Sequence, residues 1–262
     1  MKKITVIILI IMLFSVFQIN LFAQTKDETI KDYTPGILRS LAVGVEYRVK
    51  AGFLIGGMSP IPIPLEIQKI ENYNPLFNLM LEGEIQKSFN PNWALSFGLR
   101  MEQKGMKTLA QVKNYEMVLI QDNESISGVW TGSVQTTVKN SYLTLPVLVV
   151  FKPYKRWSIK LGPYLSCLLD GSFWGYASDG YLRVGDPTGE KIEISNAPYD
   201  FSDKLAHWNY GLQLDADFQA FPHLFAGLNF TYGINSIFPK NFNTMSFAMH
   251  PIYFGLNFGY KF

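Results

Sequence analysis

The chain has 262 residues, 48% hydrophobic and 17% charged, and its 23 Lys and Arg against 21 Asp and Glu leave a formal charge of +2. A disordered polar chain and a strongly basic nucleic-acid binder are both excluded by that balance. A single cysteine, Cys167, excludes an internal disulfide framework and a Cys-rich zinc site.

The first segment reads as a targeting signal. Lys2 and Lys3 precede an apolar run, Ile4 to Phe17, broken only by Thr5 and Ser15, and small Ala23 stands before Gln24. This is the layout of a cleaved secretory signal peptide over residues 1–23. The run is short for an uncleaved membrane helix. No Cys follows the expected cut, so no lipid attachment is expected there. Loss of residues 1–23 removes two lysines and leaves 21 basic and 21 acidic side chains. Residues 24–36 read as a short periplasmic lead, and residues 37–262 as one β-barrel domain.

After the signal, alternation of period two dominates. In chain order, Val45, Tyr47 and Val49 oppose Glu46, Arg48 and Lys50, in a strand expected to start at Leu41. Phe77, Leu79, Leu81 and Ile85 oppose Asn78, Glu82, Glu84 and Gln86. Trp93, Leu95, Phe97, Leu99 and Met101 oppose Ala94, Ser96, Gly98, Arg100 and Glu102. Residues 141–151 are mixed, because Leu148 and Val150 interrupt the polar face. Trp157, Ile159, Leu161 and Leu165 then oppose Ser158, Lys160, Gly162 and Tyr164, and Trp208 to Phe218 oppose Asn209 to Gln219. Two further strands, 224–234 and 252–262, bring the count to eight.

The character of the two faces narrows the fold. One is apolar with aromatics at its ends, among them Trp93, Trp157, Trp208, Tyr260 and Phe262. The other holds Gly, Ser, Asn and isolated charges. That suits strands that face lipid outward and a filled polar interior inward. The connections alternate too. Residues 89–92, 152–156 and 220–223 are short and each contains Pro; 51–75, 105–138, 171–205 and 235–250 are long. Short periplasmic turns opposite long extracellular loops give this asymmetry. The expected fold is therefore all-β: a closed, antiparallel, up-and-down transmembrane β-barrel of eight strands. Residues 107–120 and 128–140 are β-prone and expected to prolong their neighbouring strands. Alternating prolines keep Ile61-Pro62-Ile63-Pro64 extended, and Asp186-Pro187-Thr188-Gly189 reads as a turn.

Chemistry is sparse. Glu46, Arg48, Glu82, Glu84, Arg100, Glu102, Lys160, Asp215, Asp217 and Lys261 lie on the polar face. An eight-stranded barrel is just wide enough to be filled by side chains, and buried charges must be paired. The expected arrangement is a salt-bridged plug; the alternative is a narrow pore that selects a polar solute. Glu82 with Glu84, and Asp215 with Asp217, are acidic pairs at i, i+2, expected to be neutralised by Lys and Arg rather than by a bound cation. The three histidines give a weak case for a hydrolase: His223 in a short turn, and His207 and His250 near Asp203 and Ser246. No Gly-x-Ser-x-Gly, His-Glu-x-x-His, Cys-x-x-Cys or phosphate-binding glycine motif is present. No catalytic, cofactor or metal residue is assigned, and no enzyme activity is expected.

Several segments together resemble a known family. The terminal Gly255-Leu256-Asn257-Phe258-Gly259-Tyr260-Lys261-Phe262 is similar to the terminal β-signal of outer-membrane barrels. With Tyr142-Leu143-Thr144-Leu145-Pro146-Val147, Leu161-Gly162-Pro163-Tyr164-Leu165 and the Tyr232-Gly233-Ile234-Asn235 strand, it resembles the PorT-like outer-membrane β-barrel family. The resemblance implies a monomer exported to the outer membrane and embedded in its lipid. It also implies recognition by the barrel-assembly machinery through the strand ending at Phe262. Long loops then offer an unknown extracellular ligand or protein a surface, with protein secretion as another role and no nucleic-acid partner.

Overall fold

The computed structural model of the chain describes residues 44–121, 124–242, 244 and 247–262, without the side chains of 117–126. The expected signal peptide 1–23, the lead 24–36 and strand residues 41–43 lie outside the described residues. Ten strands follow: β1 (Val45–Pro60), β2 (Ile67–Asn74), β3 (Asn78–Ser88), β4 (Trp93–Gln121), β5 (Glu124–Tyr154), β6 (Trp157–Val184), β7 (Lys191–Asp200), β8 (Trp208–Gln219), β9 (Leu224–Gly233) and β10 (Met249–Lys261). A short 3-10 turn covers Ser202–Lys204.

Eight of them close a ring, β1-β3-β4-β5-β6-β8-β9-β10 and back to β1, each antiparallel to its neighbours. Ring order is chain order, so the fold is the expected up-and-down meander. Closure leaves no exposed sheet edge in the lower half of the ring, the condition for backbone to sit in lipid. The closing seam runs from Arg48 opposite Lys261 to Pro60 opposite Met249. The amide of Phe262 donates to the Tyr47 carbonyl at 3.0 Å, holding the C-terminus beside the first strand.

The short turns are tight. Asn90 Oδ1 accepts from the amides of Asn92 and Trp93 at 3.0 and 2.7 Å. Phe221 N donates to Leu224 O at 3.1 Å. Within the long connection 171–205, Asp186 Oδ1 accepts from the Thr188 amide and hydroxyl, both at 2.7 Å, forming the expected turn between β6 and β7.

At the opposite end the sequence reading needs correction, because the long connections are mostly sheet. Residues 51–60 continue β1, and 67–74 form β2, which pairs with β4. β4 and β5 run on together to Gln121 and Glu124, as their β-prone sequences lead one to expect. β6 continues to Val184 and carries β7 on its flank. β2 and β7 stand outside the ring.

Polarity inverts along these long strands. In β4, Trp93, Phe97 and Met101 are exposed on the outer face while Ser96, Arg100, Glu102 and Lys104 are buried. Past Lys104 the inner face turns apolar with Met106 and Val112, and Lys107 and Lys113 stand outside. The lower half thus carries an apolar outer belt around a polar interior. The upper half has an ordinary hydrophobic core, with Trp130, Val134, Val138, Phe173, Ala177 and Leu182 among its members. Phe173, Phe201, Phe238 and Phe242 pack ring against ring across it, two pairs stacked and two edge to face, with centroids 4.5–6.2 Å apart. At the short-turn edge of the belt, directly opposed rings pair across strands: Trp93 with Phe151 at 4.8 Å, and Trp157 with Phe218 at 5.0 Å.

Candidate functional site

Period two aims every second side chain of the eight strands into the barrel, and there the charged residues meet. Arg48, Lys50, Arg100, Lys104 and Lys160 supply five cations, and Glu82, Glu84, Glu102, Asp215 and Asp217 five anions, all buried. They form one chain of alternating sign along the axis. Arg48 meets Asp217 at 3.2 Å, and Asp217 meets Lys160 at 2.8 Å. Lys160 meets Glu84 at 2.5 Å, and Glu84 meets Lys50 at 2.7 Å. Lys50 reaches Glu82 at 3.0 Å and Asp215 at 3.6 Å. Glu82 meets Arg100 at 2.7 Å, Arg100 meets Glu102 at 3.3 Å, and Glu102 meets Lys104 at 2.9 Å.

Neutral groups complete the network. Gln213 accepts from Arg100 at 2.8 Å and donates to Asp215 at 3.0 Å. Asn229 donates to the same carboxylate at 2.5 Å, and Thr144 donates to Glu102 at 2.7 Å. Gly98 leaves the room this packing needs: a Cβ there would lie 2.9 Å from Glu82 Oε1 and 2.8 Å from the Pro146 ring. Desolvating ten charges is costly, and alternation with short pairings offsets it.

Both predicted acidic pairs are held by protein cations, and no metal-binding group of three or more His, Cys, Asp or Glu occurs among the described residues. Glu46 and Lys261 lie at the short-turn mouth. There Glu46 pairs with Lys261 at 3.3 Å, Arg48 at 3.6 Å and Lys152 at 3.8 Å. Sequence reasoning set Lys50 on the polar face without counting it among the interior charges, and it passed over Lys104, the end of the column. Lys104 sits two residues beyond Glu102 on the same face, so the alternation carried its signal. Its ammonium lies 5.0, 5.7 and 5.8 Å from the ring centres of Tyr164, Tyr142 and Tyr253, which cap the charges beneath the hydrophobic core.

The histidines do not converge. His223 Nδ1 lies 2.9 Å from the Lys261 carbonyl, and its ring stacks on Tyr260 at 5.4 Å. His250 Nδ1 lies 3.0 Å from the Gly233 carbonyl, stacked on Tyr232. His207 is exposed, and Asp203 pairs with Lys204 at 2.9 Å. Ser246 lies outside the described residues.

An apolar belt edged by aromatic pairs, a closed ring and an internally neutralised interior define an outer-membrane type of β-barrel. The chain matches the family described as outer membrane protein beta-barrel domain over residues 22–239, and it belongs to that family. No curated protein matches it. Among solved structures it is similar to Ail, the attachment invasion locus protein of Yersinia pestis, at 10% identity and a TM-score of 0.38, covering 84% of this chain and 100% of that one. It is also similar to Neisserial surface protein A, at 9% identity and a TM-score of 0.33, covering 84% and 97%. OprG from Pseudomonas aeruginosa matches at 9% and 0.28, covering 83% and 95%.

Proposed function

We propose that this outer-membrane protein is a monomeric barrel closed to solutes, whose long-strand end presents a structural or binding surface outside the cell. The observation that carries this reading is the column of ten buried charges, each paired with an opposite charge and capped by Tyr142, Tyr164 and Tyr253. Moving an ion through it requires breaking pairs in a low-dielectric interior, and the hydrophobic core above offers no polar path. Export by a signal peptide over residues 1–23, and assembly through the strand ending at Phe262, belong to the same reading. So does the absence of enzyme activity: His223 and His250 each turn Nδ1 toward a backbone carbonyl.

The finer resemblance to PorT-like proteins draws support from where its motif residues lie. Tyr142 and Tyr164 flank Lys104, and Pro146 pairs with Tyr164 across β5 and β6. The motif thereby gains a structural role, which favours kinship in fold and leaves a part in secretion as the second reading.

Conductance across a planar bilayer tests the proposal. Purified barrel should insert without unit steps of current. Regular steps that depend on solute charge would replace the closed barrel with a small porin.

A further inference from the structure

The upper wall has a seam. On its β3 side β1 is laddered only from Val45 to Leu54, and β2 pairs with β4 alone. Along Ile55–Pro60, therefore, β1 faces β2 with no backbone ladder between them. Side chains bridge the gap instead. Tyr73 donates its hydroxyl to the Gly56 carbonyl at 2.7 Å, and the Met58 amide lies 3.2 Å from Met106 Sδ. Gly57 permits that approach, since a Cβ there would sit 2.8 Å from the same sulfur. At the base of the seam Asn78 Nδ2 donates to Gly105 O at 3.0 Å and Leu54 O at 3.4 Å.

Behind the seam lies a cavity of about 250 Å³, walled by Met58, Met106, Met249, Tyr115, Phe173 and Phe247. None of the described residues lining it is charged. Its polar groups are already engaged or neutral. Thr136 Oγ1 lies 2.6 Å from the Tyr199 hydroxyl, and Tyr73 is bonded to Gly56. Burial pushes the Tyr115 phenol up, and the Glu66 carboxylate adds to that, so the ring it turns toward Phe247 stays uncharged. An apolar cavity of roughly 150 Å³ holds a benzene ring, and methionines adapt their shape to what they contact. The volume here suits a one- or two-ring hydrocarbon or the end of an acyl chain.

We propose that this cavity is a binding site for an uncharged hydrocarbon group, admitted sideways through the seam between β1 and β2. The seam opens just above the apolar belt, beside exposed Phe53, Ile55 and Phe77. A membrane acyl tail therefore reaches it with little exposure to water, as does a free hydrophobe dissolved at the membrane surface.

The test uses the full barrel held in amphipol and the uncharged fluorophore N-phenyl-1-naphthylamine. Wild type should show one saturable site above the linear partition into amphipol. Ala110→Trp, which fills the cavity, should weaken that site by about tenfold or more while the folded barrel keeps its heat-shifted gel mobility. Val134→Phe serves the same purpose if Ala110→Trp does not refold. Organic extraction and mass spectrometry separate the sources. An acyl lipid retained by wild type and lost from the filled variant assigns the ligand to the membrane. Saturable fluorophore binding without retained lipid assigns it to free hydrocarbons. Partition alone in wild type, or a saturable site that both fillings leave unchanged, overturns the proposal.

Discussion

At the scale of single residues, Lys50 is the node on which the column depends. It touches Glu82, Glu84 and Asp215, so Lys50→Met leaves three carboxylates short of a partner and the interior one charge out of balance. Removing one side of a buried pair costs about 3–5 kcal/mol. We expect a loss of that order in the unfolding free energy from urea titration of barrel refolded into vesicles, with partial recovery when Glu84→Gln restores equal numbers of charges. Unchanged stability of Lys50→Met would show that water reaches the column. Lys104 makes the useful contrast. Glu102 keeps Arg100 and Thr144 when Lys104 is gone, so Lys104→Met should cost clearly less than Lys50→Met in the same assay. Most of the charged residues were legible in the sequence from alternation alone, but their partners were not. Arg48 and Asp217 are separated by 169 positions, and Arg100 and Gln213 by 113. Pairings of that kind exist only once the ring has closed in one register.

Among the elements, β10 shows how strictly the faces are specified. Leu256 is exposed in the belt, whereas Asn257 is buried inside against Gly52. Leu256→Arg puts a charge toward lipid and should cost about 2–4 kcal/mol near the bilayer midplane, while Leu256→Phe should refold as wild type does. Band shift on unboiled gels after vesicle refolding reads both, and equal refolding of the two would move Leu256 off the lipid face. Asn257→Arg is no tolerant control, because Asn257 is buried and already fills the space that a Cβ at Gly52 or Gly227 would take, so a longer charged side chain must displace its neighbours. The upper elements were harder to read than β10 for a definite reason. Register shifts between Thr131 and Ser133 and between Ser141 and Tyr142 break the two-residue phase. Polarity also inverts beyond Lys104, so one strand obeys the membrane rule in its lower half and the soluble rule above. A search for apolar-out strands ends where the inversion begins, and the remaining sheet looks like loop.

On the scale of the whole molecule, two solvents act on one continuous wall, and the belt marks the boundary between them. Orientation follows from which end faces outward. Trypsin added to intact cells should cut at exposed Lys191 or Lys204 of the upper part and spare Lys155 and Arg156 in the short turn. Fragment masses before and after the membrane is opened decide it. Early cleavage at Lys155 or Arg156 with the upper sites intact would turn the barrel over.

The hydrogen bond from Phe262 to Tyr47 has one more consequence. Both ends of the described barrel lie at the same rim, on neighbouring strands. A circular permutant is therefore within reach: a brief linker from Phe262 to Val45, and new termini opened between Lys155 and Arg156. Such a chain has the same ring and the same paired interior, yet its last strand is β5 and no longer ends in Phe. It would separate the stability of the cylinder from the proposed recognition of its final strand. Spontaneous refolding in vesicles should persist, while insertion in living cells fails unless a terminal Phe is grafted after Lys155.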